Sequence, residues 1–137
     1  MKRLIPILIF SLCLCFNCST DEINAPFQTS NIDGEWELTN VTGGLQGVDI
    51  NYSPGEVKWD FDTSTSTLTV TNLIISTCPE DIYSGHDTGV YNFNIVSANG
   101  IDTLYIDSVE RGVITISNNM LQIDDGLATD GFLTTFQ

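Results

Sequence analysis

Basic side chains are scarce in this sequence: its 137 residues carry four Lys and Arg against 18 Asp and Glu. Two of the four, Lys2 and Arg3, fall in the N-terminal leader, and every acid lies beyond residue 20. The remainder therefore sets Lys58 and Arg111 against 18 acids, a net charge of −16. Such a field repels nucleic-acid phosphates and anionic lipid head groups, which excludes direct binding to either without a bridging cation. Catalytic vocabulary is equally thin. His86 is the single histidine, and no glycine-rich phosphate loop or recognisable Ser, His and Asp constellation is present. The protein reads as a non-enzyme, with no catalytic residue, cofactor or metal expected. His86, with Glu80, Asp81 and Asp87 close by, reads as a loop residue rather than a ligand. The acidic stretch DDGLATDG, residues 124 to 131, lacks the alternating ligands and closing glutamate of an EF-hand and reads as a turn.

Long apolar runs are missing too. The segment LIPILIFSLCLCF, placed behind Lys2 and Arg3, is too short to span a bilayer comfortably but suits the apolar core of a secretory leader. Cysteine is crowded at its end: Cys13, Cys15 and Cys18 fall within six positions, and only Cys78 lies elsewhere. A basic start, a short apolar core and a terminal cysteine form the pattern of a bacterial lipoprotein signal, in which the cysteine becomes the acylated first residue. Cys18 is the expected point of lipid attachment. Cys15 is the second candidate, and an ordinary cleaved leader is the alternative. Cys78 then remains as a lone, inert thiol, and no internal disulfide can form. Ser19, Thr20, Asp21 and Glu22 resemble the acidic export tag of some Gram-negative surface lipoproteins; the plainer reading is a solvated tether. The expected organisation is a signal over residues 1–17, a lipidated cysteine and tether over 18–32, and one domain over 33–137. The expected location is the cell envelope of a Gram-negative bacterium, lipid-anchored in the outer membrane.

What the domain does contain is alternation. Short β-rich runs are cut by turn residues, and no segment sustains a helical period. Eight strands are expected, at about 35–42, 55–62, 67–75, 88–97, 102–107, 111–117, 120–124 and 131–136. Val57, Trp59 and Phe61 point one way and Lys58, Asp60 and Asp62 the other, so one face is core and one is water. Leu68 and Val70, then Tyr91, Phe93 and Ile95, then Leu104, Ile106, Ile114 and Ile116 extend that inner face. Ala98-Asn99-Gly100 and Asn118-Asn119 suit tight hairpins, so sequence neighbours should pair antiparallel. The sum is an all-β domain of about eight strands, expected to close as a monomeric up-and-down meander barrel because closure removes exposed sheet edges.

Gly34-Glu35-Trp36, at the start of the first strand, looks like the Gly-x-Trp motif of lipocalins. Together GEWELTNVTGG, YSPGEVKWDFD, GVITISNNMLQIDDG and DGFLTTF resemble the lipocalin-like domain of bacterial lipoproteins across nearly the whole chain beyond the leader. The resemblance implies a barrel with a small internal cavity, closed at one end by Trp36, and a lipid anchor. It also implies an arginine lying over that tryptophan from near the last strand, whereas the sole candidate here is Arg111, two strands earlier.

Two functions follow. Trp36, Trp59, Phe61, Tyr91 and Phe93 offer stiff aromatic surface for a small hydrophobic ligand, and Leu45 and Tyr52, in the connection from Gly43 to Pro54, would form a lid. The same five aromatics would equally fill a barrel of this size, leaving a structural or interaction protein that acts through its acidic outer face.

Overall fold

The computed structural model describes residues 31–75 and 79–137. The leader, Cys18, most of the tether and Cys78 lie outside the described residues. Nine strands are present: β1 (Gly34–Gly43), β2 (Val48–Asn51), β3 (Val57–Asp62), β4 (Thr67–Asn72), β5 (Gly89–Ala98), β6 (Ile101–Ile106), β7 (Val109–Ser117), β8 (Met120–Asp124) and β9 (Phe132–Phe136). A five-residue helix, α1 (Pro79–Tyr83), interrupts the connection between β4 and β5, and a 3-10 turn (Leu127–Thr129) precedes β9. All pairings are antiparallel, and β9 returns to β1, so the sheet closes.

The barrel is nonetheless eight-stranded, as expected. β2 and β3 lie end to end along the same edge of β1: Asn40 faces Asn51, while Glu37 faces Lys58. The register jumps by four residues between these pairs, and the chain from Ser53 to Glu56 bulges out as a turn before pairing resumes. The stretch holding β2 was expected as connection. Its four residues carry only Val48 and Ile50 as an alternating signal, between Gly47 and Pro54, and so short a strand cannot outweigh its flanking turn residues in a sequence reading.

Alternation works as the sequence implies. Val57, Trp59 and Phe61 are buried while Asp60 and Asp62 are exposed, and Leu68, Val70, Phe93, Leu104, Ile106, Leu121, Ile123 and Phe136 complete the interior. Hairpin turns run through Asn99-Gly100 and Asn118-Asn119, all four at positive φ, as two-residue loops matched to strand twist require. On the outer face Lys58 reaches Glu35 at 2.8 Å and Glu37 at 3.2 Å. These half-exposed pairs are screened by solvent and contribute little.

Up-and-down connectivity sorts the loops to two ends. Residues 31–33, the turns at 63–66, 99–100 and 118–119, and the C-terminus share one end. The turns at 44–47 and 107–108, residues 73–75 and 79–88 of the long connection and the segment 125–131 share the other. At the first end Trp36 is buried and donates its indole N–H to the Ile32 carbonyl at 2.7 Å. Phe61, which pairs with Gly34, faces fully buried Leu68 and packs edge-on with Phe93 at 5.0 Å.

Candidate functional site: the mouth of the barrel

The second end encloses a cavity of about 370 Å³. Strands supply one wall: Val41 from β1, Trp59 from β3, Ile123 from β8, and Phe132 and Thr134 from β9. These are inward positions in register, since Thr134 faces both Val41 and Ile123 across its two pairings. The connection 79–88 supplies the roof with Ile82, Tyr83, Ser84, Gly85 and His86, and Asp125 and Arg111 lie at the rim.

The roof is tied down by two side chains. Asn72, at the end of β4, donates to Ser84 Oγ at 2.9 Å and to the His86 carbonyl at 3.0 Å, while its own backbone N–H and carbonyl both bond Thr88 Oγ1. Tyr52 donates its hydroxyl to the Glu80 carbonyl at 2.9 Å, anchoring α1. Burial, with Glu80, Asp81 and Glu56 nearby, pushes the Tyr52 phenol up to about 12. It therefore stays protonated and keeps donating. Gly85 adopts φ +92°, and a Cβ there would lie 3.1 Å from the Trp59 ring. Only glycine lets the roof descend onto that indole without strain.

His86 follows directly. Its ring stacks at a tilt on Trp59, centroids 5.5 Å apart, and on Tyr91 at 4.7 Å. Burial first, and then the Arg111 charge, hold its pKa below the ordinary 6.5, with Asp107 and Asp87 pulling weakly the other way. The imidazole is thus neutral at pH 7. Arg111 reaches the same space through a bulge. Leu104 faces Gly112 while Tyr105 faces Glu110, so Arg111 is the extra residue on β7, and a bulge turns such a side chain out of the regular alternation. Gly112, at φ +129°, makes the bulge possible: a Cβ on it would sit 2.3 Å from the Asp124 carbonyl oxygen.

The aromatic residues singled out in the sequence separate into two groups. Trp59 lines the cavity, and Tyr91 supports His86 from behind, donating its hydroxyl to the Asp87 carbonyl at 2.8 Å. Trp36, Phe61 and Phe93 are buried in the packed end and do not line it. Of the two lid residues, Leu45 is 85% exposed on the turn between β1 and β2. Tyr52 is only 7% exposed and belongs to the packing beneath the roof; its hydroxyl, reaching the Glu80 carbonyl, draws the ring inward. Sequence reading missed His86, Arg111, Tyr83, Phe132 and Asp125 as wall residues. For Arg111 the one available signal is the glycine immediately after it, at the start of a strand. Arg111 stands at this mouth and not over Trp36.

Residues 124 to 131 do form a turn: Asp124 Oδ1 accepts the backbone N–H groups of Gly126 and Leu127 at 2.9 and 2.8 Å, which holds its carboxyl below the ordinary range. Among the described residues no three His, Cys, Asp or Glu side chains gather to hold a metal, and no helix is long and apolar enough to cross a membrane. No protein-family model matches the chain, and comparison with curated proteins and with solved structures gives no match either.

Proposed function

We propose that this protein is a lipid-anchored, lipocalin-like binding module of the bacterial cell envelope, which takes a small, mainly apolar molecule into the mouth of its barrel and performs no chemistry on it. One observation carries the reading: a cavity of about 370 Å³ walled by Trp59, Tyr83, Phe132, Val41 and Ile123. That volume lies toward the lower end of the ~300–1,000 Å³ typical of small-molecule sites. At ~30 Å³ per water-sized group it accommodates about a dozen heavy atoms. Ile82, 76% exposed yet part of the wall, offers apolar surface at the rim. The anchor is supported by the Lys2-Arg3 start, the short apolar core and Cys18.

The test is uptake of 1-aminonaphthalene, whose emission rises in apolar surroundings, by the purified protein. One site per chain is expected, and Thr134→Trp, which fills the cavity, should abolish it without lowering the unfolding midpoint. No uptake by the unaltered protein would reject the binding reading and favour an interaction protein acting through its acidic face. For the anchor, Cys18→Ser should release the protein from membranes, and continued detergent-phase partitioning would point to Cys15.

A further inference from the structure

Three polar atoms at the mouth have no partner. Trp59 Nε1, His86 Nε2 and Arg111 Nε are each buried, and none makes a hydrogen bond with any described residue. All three residues line the same cavity. Among the described residues these are the only buried side-chain nitrogens or oxygens left without a partner, so the deficit is concentrated in one place. Trp59 is 5% exposed, and its indole N–H can only donate. The guanidinium N–H of Arg111 can likewise only donate, and burying such groups unpaired is costly. His86 contributes a third nitrogen that donates in one tautomer.

Charge sharpens the pattern. Among the described residues there are two cations, and Lys58 is engaged by Glu35 and Glu37 on the outer face. Arg111 makes no ion pair with any described residue, although acids dominate the chain. Asp125 shares the rim, but its Oδ1 accepts the Phe132 backbone N–H. The mouth therefore presents donors and a positive charge on an apolar wall.

We propose that the ligand is a small apolar molecule bearing a carboxylate, which Arg111, the Trp59 indole and the His86 imidazole receive while Tyr83, Phe132 and Ile123 hold its apolar body. A carboxylate supplies acceptors for all three nitrogens and neutralises Arg111, which an uncharged acceptor cannot do. The proposal rests on the binding reading above and names the chemistry of what is bound.

Calorimetric titration of the full-length protein with 3-phenylpropanoate and with its uncharged isostere 3-phenylpropanamide tests it. The carboxylate should bind at least about tenfold tighter than the amide, as a charge-assisted hydrogen bond implies. Arg111→Gln should erase that preference, with far-ultraviolet circular dichroism and the unfolding midpoint showing that the variant is folded, and Arg111→Lys should restore part of it. Equal affinity for the two probes in the unaltered protein, or a preference that survives Arg111→Gln, overturns the carboxylate assignment and leaves the binding module standing. Failure of both probes, with 1-aminonaphthalene also excluded, overturns the binding reading and this inference with it.

Discussion

Trp36 and Trp59 face each other across the pairing of β1 with β3, yet their indoles serve opposite ends of the barrel. Trp36 turns toward the end where the domain begins and donates to the Ile32 carbonyl. Trp59 turns toward the mouth, beneath Gly85 and His86, and donates to none of the described residues. Toward the Trp36 end Phe61, paired with Gly34, faces buried Leu68 across β3 and β4 and packs edge-on with Phe93 at 5.0 Å. Around Trp59 aromatic surface borders open volume. One type of side chain thus completes the packing at one end and leaves it incomplete at the other. Most of the stability is expected from the filled end, and under the proposed function a ligand would occupy the mouth.

The largest expected effect separates the ends by truncation. Phe61→Ala should cost about 3–5 kcal/mol through lost burial and a residual cavity, a large share of the ~5–15 kcal/mol that a domain possesses. Phe132→Ala, at the cavity wall, should cost only about 1 kcal/mol, because its ring is only partly buried and borders unfilled space beside Tyr83, 5.3 Å away. Denaturant unfolding of the two variants measures the contrast, and equal losses would break it.

A smaller effect concerns the roof. Asn72→Ala removes the bonds to Ser84 Oγ and the His86 carbonyl and the acceptor for the Ile74 N–H. A loss of about 1–3 kcal/mol is expected from the stranded groups, with amide exchange accelerating across residues 84–88 while the strands stay protected. Uniform acceleration would mean that the roof is not a separate unit.

The smallest is a pH effect. The folded His86 pKa lies below its unfolded value near 6.5. Its contribution to stability is therefore complete above that pH and is lost as pH falls through the folded pKa, because the unfolded chain binds the proton more readily. His86→Gln should flatten the decline that sets in as pH falls below about 6.5, leaving the later acid loss, to which Asp62 and Asp124 contribute through lowered carboxyl pKa values, unchanged.

The filled end was legible in the sequence, because alternation in VKWDFD and TLTVTN reports burial directly and Asn99-Gly100 marks its hairpin locally. The hairpin between β6 and β7 was legible from its two strands but not from its turn: Asp107 and Ser108 both adopt positive φ, although neither is the glycine or asparagine that announces such a turn. The mouth was legible only through Trp59. His86 and Arg111 are far apart in sequence and meet because residues 79–88 fold over the barrel while a bulge re-aims β7. Long-range placement of that kind leaves no periodic trace. Tyr52 misled for the opposite reason: its neighbours Ser53, Pro54 and Gly55 signal an exposed turn, while its hydroxyl finds the Glu80 carbonyl and draws the ring inside.

The two indole N–H resonances give the most direct test, since the chain has only these two tryptophans. In a proton–nitrogen correlation spectrum recorded while 3-phenylpropanoate is added, the Trp59 signal should shift and saturate, and the Trp36 signal, held by Ile32, should stay in place. A Trp59 signal that never moves, or two signals that move together, would contradict a barrel with one packed end and one binding end.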